Sequence, residues 1–251
     1  MTDELFRSDA YLAECSARVS AVDAQGIVLD RTVFYPQGGG QAGDAGVLLV
    51  TSGALTGQTI PITDTRKGKD GEGRASTDIC HLPAPTADGA APVLAVGDSV
   101  SARIDWPRRH RLMRFHTATH LLCHLVPQLV NGCSITPDYA RLDFNMRDPL
   151  DKDWLSDGMA RLVAAAHPIV IGAISDAELD ADPALVKSMS VQPPRGSGHV
   201  RTVRIGADLL IDLQPCGGTH VANTREIGAV VVTRIEKKSA MTRRVVLGFA
   251  S

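Results

Sequence analysis

Two short stretches of the chain carry residues that can do chemistry together. In Arg114-Phe115-His116-Thr117-Ala118-Thr119-His120-Leu121-Leu122 the histidines stand four residues apart. On a helix that spacing puts both imidazoles on one face, one turn apart, as a bidentate metal clamp. Far downstream, Cys216-Gly217-Gly218-Thr219-His220 offers a thiol and a third imidazole, and its two glycines let the chain fold back so that both can face one ion. His116, His120, Cys216 and His220 form a zinc-type ligand set. No Glu follows His116, so the HExxH pattern, which carries its own general base, is absent and the chain is not a zincin. Taken alone, His116 and His120 read as two ordinary histidines; the Cys216 loop outweighs that reading. His124 repeats the spacing and is expected to pack or to support the site. Cys15, Cys80, Cys123 and Cys133 have no such neighbours and read as small buried hydrophobes.

Two further stretches point to ligands. Phe34-Tyr35-Pro36-Gln37-Gly38-Gly39-Gly40-Gln41 contains three consecutive glycines, which suit neither a helix nor a strand interior. It is a loop that either turns flexibly or contacts a ligand. Arg108, Arg109, Arg111 and Arg114 crowd the first turns of a helix, where the macrodipole disfavours cations. An anionic partner would use them, and a solvated basic face is the alternative.

The bulk numbers bound the rest. A chain of 251 residues, 44% hydrophobic and 22% charged, can bury one large core or two modest ones. Aromatics make up only 4%, so binding of nucleic acid through many stacked rings is not expected. Residues 1 to 100 hold 7 Lys and Arg against 13 Asp and Glu, and the remainder hold 19 against 15; a basic second part permits an anionic partner. Five scattered cysteines form no CxxC repeat, which argues against a disulfide framework. The acidic N-terminus lacks an apolar signal core and no run is long enough to span a membrane, so the expected location is cytoplasmic.

The elements that must position these residues are short. Arg18 to Val22, Gly26 to Leu29, Gly46 to Val50 and Ser99 to Ile104 read as strands. Residues 51–92, rich in Gly, Ala, Thr, Asp and Pro, read as a long hairpin excursion and mobile surface loop with little to form a core. Pro107 suits the first turn of a helix running from about Arg108 to Val126. Tyr139 to Phe144 alternates as a strand, and a helix follows from Lys152 to about Ala166. Ile169 to Ile174 is another strand. Asp176 to Ser188 is expected to be helical with an irregularity near Pro183, and Gln192 to Gly198 is a loop. Val200 to Ile205 and Asp208 to Leu213 form a hairpin around Gly206-Ala207, and Gly228 to Glu236 pairs with Arg243 to Phe249. The expected fold class is α+β: a small N-terminal β-barrel-like domain over 1–106, then an α/β domain with a mostly antiparallel sheet and the zinc site over 107–251.

HTATHLL, QPCGGTHVANTREIG and FYPQGGGQ, in the positions quoted above, resemble the editing domain of alanyl-tRNA synthetase and its free-standing relatives, the AlaX alanyl-tRNA editing proteins. The threonyl-tRNA synthetase editing domain shares the HxxxH and CxxxH parts, and the glycine-rich motif favours the alanyl branch. The resemblance spans about residues 18 to 249 with gaps; the 51–92 excursion matches no motif. It implies a stand-alone, trans-acting deacylase without an obligate protein partner. The reaction would hydrolyse the ester between serine or glycine and the acceptor end of tRNA(Ala), with one Zn2+ per chain on His116, His120, Cys216 and His220.

An aminoacyl ester needs a water nucleophile, a hold on the substrate and donors for the developing oxyanion. Four protein ligands make a closed set, whereas a catalytic zinc keeps a position open. Either Cys216 or His220 is loose, or the metal orients substrate while water is activated otherwise. Serine exceeds alanine by one hydroxyl, and a site that must hydrogen-bond it discriminates best. Thr32 and Gln41 are the candidates for that contact, with Gly38, Gly39 and Gly40 as a pocket wall; Thr32 as a plain strand residue is the alternative. Asp143, beside Arg141, either shapes the pocket or belongs to a surface strand pair. Arg108, Arg109, Arg111 and Arg114, with Lys237, Lys238, Arg243 and Arg244, are expected to meet tRNA phosphates. The rival readings are a zinc-stabilised module that binds the tRNA end without cleaving it, and a hydrolase of the same fold acting on another ester.

Overall fold

The computed structural model describes residues 1–85, 94–193 and 198–250. Among these the chain is mostly β, paired antiparallel, with few helices. It divides into two compact units, Met1–Gly38 with Ala42–His110, and Gly39–Gln41 with Arg111–Ser251.

The first unit opens with β1 (Asp3–Glu4), followed by β2 (Glu14–Asp23), β3 (Gly26–Leu29), β4 (Arg31–Thr32) and β5 (Gly46–Val50). The long hairpin β6 (Thr59–Lys69) and β7 (Ala75–Pro83) comes next, then β8 (Ser99–Ile104). β1 and β4 pair parallel. The others close into a barrel in the order β2-β3-β7-β6-β5-β8, which leaves no open sheet edge to template aggregation. Val19, Ile27, Leu29, Leu48, Val50, Val100 and Ala102 fill its core with Phe34 and Leu94.

The hairpin β6–β7 agrees with the long hairpin expected within residues 51–92 and corrects the expectation that the stretch adds little to a core. Ile60 and Ile62 point into the barrel core and Ile79 is buried, so the excursion is barrel wall. Only alternate residues of a strand face inward, and a few isoleucines suffice where average composition suggests no core. Residues 86–92 of that stretch lie outside the described residues. The arginine expectation also needs correction at one position. Arg109 is 0% exposed, its Nε 2.9 Å from Asp44 Oδ2, and it donates to the carbonyls of Val33 at 2.6 Å and Ala10 at 2.9 Å. It cannot meet a phosphate; it is a buried, fully paired cation that ties three loops of its unit together.

Helix α1 (Trp106–Leu125) begins in the first unit and continues in the second. The second unit then runs β9 (Val130–Ile135), β10 (Ala140–Asn145), α2 (Lys152–Ala164), β11 (Ile169–Ser175), α3 (Asp176–Ala181), β12 (His199–Ile205), β13 (Asp212–Pro215), β14 (Val230–Ser239) and β15 (Thr242–Phe249). Four strands form one antiparallel sheet, β14-β15-β10-β9, and three form another, β11-β12-β13; α2 packs on β14. Residues 194–197 of the expected loop at Gln192 to Gly198 lie outside the described residues. The expected strand Asp208 to Leu213 starts only at Asp212, because Leu209 and Leu210 are exposed in the preceding loop.

Two features of this unit bear on the site. From Leu112 to Cys123, every residue of α1 except Arg114 is buried, so the helix is enclosed on all sides rather than on one stripe. Its small polar residues make this tolerable: Thr119 Oγ1 donates to the His116 carbonyl at 2.7 Å. The glycine-rich stretch joins this unit through Gly40, whose carbonyl accepts from Ile135 N at 2.8 Å, and through a parallel bridge of Gln41 to Ile135.

Beyond the end of α2, Ala166 has φ of 55°, the left-handed conformation that a helix stop normally gives to glycine. Ala166→Gly is expected to raise stability by roughly 1 kcal/mol by removing the Cβ clash. Thermal melting checks this, and an unchanged or lower midpoint contradicts it.

Candidate metal centre

His116, His120, Cys216 and His220 come together as the sequence spacing implies. One potential ligand atom from each lies within 4.8 Å of the others. Cys216 Sγ is 3.5 Å from His116 Nε2 and 3.3 Å from His220 Nε2. Tetrahedral N and S donors around one zinc stand roughly 3.5 Å apart, which the two Cys216 distances match, and the remaining donors lie close enough to close on one ion.

The rings are aimed by what holds their other nitrogen. His116 Nδ1 donates to Gln41 Oε1 at 2.7 Å, and His120 Nδ1 donates to Asp212 Oδ2 at 2.7 Å. His220 Nδ1 lies 3.1 Å from Thr117 Oγ1. With Nδ1 engaged, each Nε2 is left for the common centre, the outer arrangement that fixes tautomer and orientation in metal sites. Asp212 is itself held, by Gln214 Nε2 at 2.9 Å and by the Lys187 ammonium.

Backbone requirements explain the glycines. A Cβ on Gly218 would stand 2.1 Å from His116 Cε1, so only glycine lets the Cys216 loop lie against that ring. Arg201 clasps the same loop, donating from Nη1 to the carbonyls of Cys216 at 2.5 Å and Gly218 at 3.2 Å. Gly40 is needed both for its φ of +87° and because a Cβ would stand 2.7 Å from Cys133 Sγ.

Electrostatics of the cluster favour negative charge on sulfur and a proton on one imidazole. Burial raises the Cys216 thiol, but the imidazoles of His116, His220 and His120 gathered around Sγ outweigh it and hold the group well below its ordinary value. Burial, aided by His116, pushes His220 down to about 3, so it is a neutral imidazole. Burial also opposes charge on His120, yet the hydrogen bond to Asp212 and the neighbouring Cys216 carry it up to about 9, so without an ion this ring holds a proton on Nε2 that an arriving metal must displace. A thiolate and a buried carboxylate thus draw a cation into the cluster. Cys123 and Cys133, by contrast, are pushed by burial up to about 12 and stay protonated.

The other expected residues are distributed as follows. Thr32 is buried; its hydroxyl lies 2.8 Å from His81 Nε2 and accepts from Phe34 N at 3.0 Å. His81 Nδ1 donates to the Ile27 carbonyl at 2.9 Å, and burial pushes this imidazole down to about 4. Its Nε2 is therefore an acceptor, and Thr32 is the donor. Gln41 is 0% exposed and positions both halves of the cluster. Its Oε1 also accepts from Thr219 N at 3.2 Å and its Nε2 donates to Thr219 Oγ1 at 2.9 Å. Gly38 accepts from the Tyr35 hydroxyl at 2.9 Å through its carbonyl, and Gly39 has φ of +57°. Asp143 is bracketed by Arg141 at 2.8 Å and Arg244 at 2.7 Å, an ion-pair cluster across β10 and β15. Arg108 donates to the Gly43 carbonyl at 3.1 Å. Arg111 and Arg114 are half-buried beside Phe249. Arg243 is buried, while Lys237 and Lys238 are exposed. Asp212, Lys187 and Arg201 were not anticipated, because nothing in the local sequence ties Asp212 to His120; only their adjacency in space does.

Comparison with known proteins agrees with this architecture. Residues 200–246 match the family model described as threonyl and alanyl tRNA synthetase second additional domain, and residues 9–108 match the model of class II (A) tRNA synthetases. The fold and the His and Cys cluster thus define an editing-type domain related to those of alanyl-tRNA synthetases. An alanyl-tRNA editing protein AlaX-M of Saccharolobus solfataricus is 33% identical over 98% of both chains, and one of Methanosarcina acetivorans is 30% identical over the same shares. The alanine–tRNA ligase of Metallosphaera sedula is 32% identical over 94% of this chain but only 25% of its own length. The chain belongs to the AlaX-M family of alanyl-tRNA editing proteins. No helix among the described residues is long and apolar enough to cross a membrane.

Asp212→Asn keeps the shape but weakens the hold on His120, and is expected to lower metal affinity by about 10- to 100-fold. Chelator competition reads this directly; wild-type affinity in the variant would make Asp212 incidental to the centre. Gly218→Ala should remove metal binding while leaving the rest of the unit folded, as circular dichroism and metal stoichiometry would record.

Proposed function

We propose that this protein hydrolyses the ester linking serine or glycine to tRNA(Ala), using one Zn2+ held by His116, His120, Cys216 and His220. It is an aminoacyl-tRNA deacylase that acts on mischarged tRNA. The observation that carries this reading is the convergence of three outwardly anchored imidazoles on one thiolate, in a chain of the alanyl-tRNA editing family.

A zinc ion bound there would supply Lewis-acid polarisation for the ester or for water. The protein's own residues keep the donors in place. Gln41 fixes His116 and ties it to Thr219 of the Cys216 loop, Asp212 fixes His120, and Arg201 clasps the loop. Held this way, the donors do not have to reorganise during the reaction, which favours electrostatic stabilisation of developing charge.

Selection of serine over alanine needs a hydrogen bond to the hydroxyl. Thr32 gives its proton to His81 and accepts from Phe34 N and is 0% exposed, so the contact proposed for it, acceptance of the serine O–H by the remaining Oγ1 lone pair, requires that oxygen to be uncovered when substrate enters. The partner is the acceptor end of tRNA(Ala), with Arg108, Arg111 and Arg114 as candidates for phosphate contact. A second reading draws on the four-donor set, which is also that of a structural zinc: a module that binds the tRNA end without cleaving it.

Incubation with Ser-, Gly- and Ala-tRNA(Ala), with and without chelator, separates these readings. The metal-loaded protein should release serine or glycine and spare alanine, and chelation should abolish release. Full survival of all three charged tRNAs with the loaded protein would leave only the binding module. Thr32→Val should slow release of serine more than that of glycine; equal slowing would mean that Thr32 acts only through His81 and Phe34.

A further inference from the structure

Arg111 and Arg114 stand three residues apart on α1 and converge on one aromatic ring. The Arg114 guanidinium carbon is 3.8 Å from the Phe249 centroid, and that of Arg111 is 5.1 Å away. Phe115 stacks on the same ring, with centroids 4.1 Å apart and planes 24° apart, and fixes it from one side. Each arginine gives its Nε to a backbone carbonyl, Arg111 to Pro137 at 2.7 Å and Arg114 to Ile227 at 2.8 Å. Gly228, with φ of +70°, leaves room for this: a Cβ there would stand 2.9 Å from Arg114 Nη2.

Both guanidinium planes are therefore set before any ligand arrives, and among the described residues their terminal N–H groups meet no protein acceptor. Among the described residues, neither forms an ion pair with a carboxylate. Two half-buried like charges beside one ring repel each other, and burial together with Arg111 lowers the pKa of Arg114. Attraction to the ring face offsets part of this, and an anion between the two forks would offset the rest. Guanidinium forks match the paired oxygens of a phosphate, and prior fixation reduces the ordering cost of binding. We propose that Arg111 and Arg114 together clamp a single backbone phosphate of the tRNA, an inference that rests on the functional reading above and makes it specific. A phosphodiester offers two non-bridging oxygens, one to each fork.

Uncharged tRNA(Ala) is the probe, so that hydrolysis does not enter, and affinity is measured against salt for the wild type, Arg111→Gln, Arg114→Gln and the double variant. Each single change should weaken binding about tenfold at low salt, as loss of a charge-assisted contact does. The double variant should lower the slope of log K against log salt by about 0.7 to 0.9, the signature of one phosphate. A fall of about 1.4 to 1.8 would mean two independent phosphate contacts and would overturn the clamp, as would an unchanged slope or a wild type that does not bind tRNA. Titration of inorganic phosphate distinguishes a site for the free anion: submicromolar phosphate binding lost in the variants, with tRNA binding intact, would also overturn the proposal.

Thermal melting shows whether the glutamine variants fold. If they do not, Arg111→Lys and Arg114→Lys decide, since lysine keeps the charge and loses the fork: a retained salt slope with weaker binding is expected, and wild-type affinity would refute the clamp. A wild-type protein that shows the expected binding and releases no serine would sink the deacylase reading and leave the clamp standing.

Discussion

The constraint on which the second unit depends is that three imidazoles must show the same nitrogen to one thiolate. A free imidazole can turn, flip or change tautomer, and each freedom would scatter the donors. Here each Nδ1 is engaged by a different kind of partner: an amide oxygen from Gln41, a carboxylate from Asp212 and a hydroxyl from Thr117. These partners come from three separate parts of the chain, so the centre also links them. The close approach of Gly218 to His116 shows how little slack remains.

Enclosing polar residues in this way is unfavourable unless every group finds a partner. Helix α1 meets the requirement with small residues. Thr119 returns its hydroxyl to the helix backbone, and Thr117 serves both His220 and the backbone N–H of Val221, the latter at 3.3 Å. Larger side chains at these positions would keep the Cys216 loop away, and apolar ones would leave His220 and Val221 without a partner. The alternation of threonine and histidine along this helix is therefore a packing solution as much as a chemical one. The first unit treats its own buried charge similarly, surrounding Arg109 with Asp44 and two carbonyls.

The arginines at the start of α1 show how a single sequence feature separates into different roles once it is folded. Read along the chain, Arg108, Arg109, Arg111 and Arg114 form one basic cluster. Helical geometry turns successive residues by about 100°, so neighbours in sequence face different surroundings. Arg109 turns inward to Asp44, Arg108 reaches a carbonyl of its own unit, and Arg111 and Arg114 share the ring of Phe249. A charge count cannot make this division, because it depends on what each face meets.

What the sequence determined by itself was the set of ligand types, their spacing and most of the elements that carry them. Four-residue spacing on a helix and a double glycine between Cys216 and His220 are local facts with local geometric consequences. The strands at 26–29 and 46–50 and the helix that starts near Lys152 were legible for the same reason, since period and caps act over a few residues. Tertiary structure alone decided that Asp212 and Gln41 aim the rings, that Arg201 clasps the loop, that Arg109 is buried, and that residues 59–83 form barrel wall. Each of these depends on contacts between residues distant in the chain, or on an inward face that only the closed sheet defines. The identity of a residue records its chemistry, but its role at a site is set by what stands beside it.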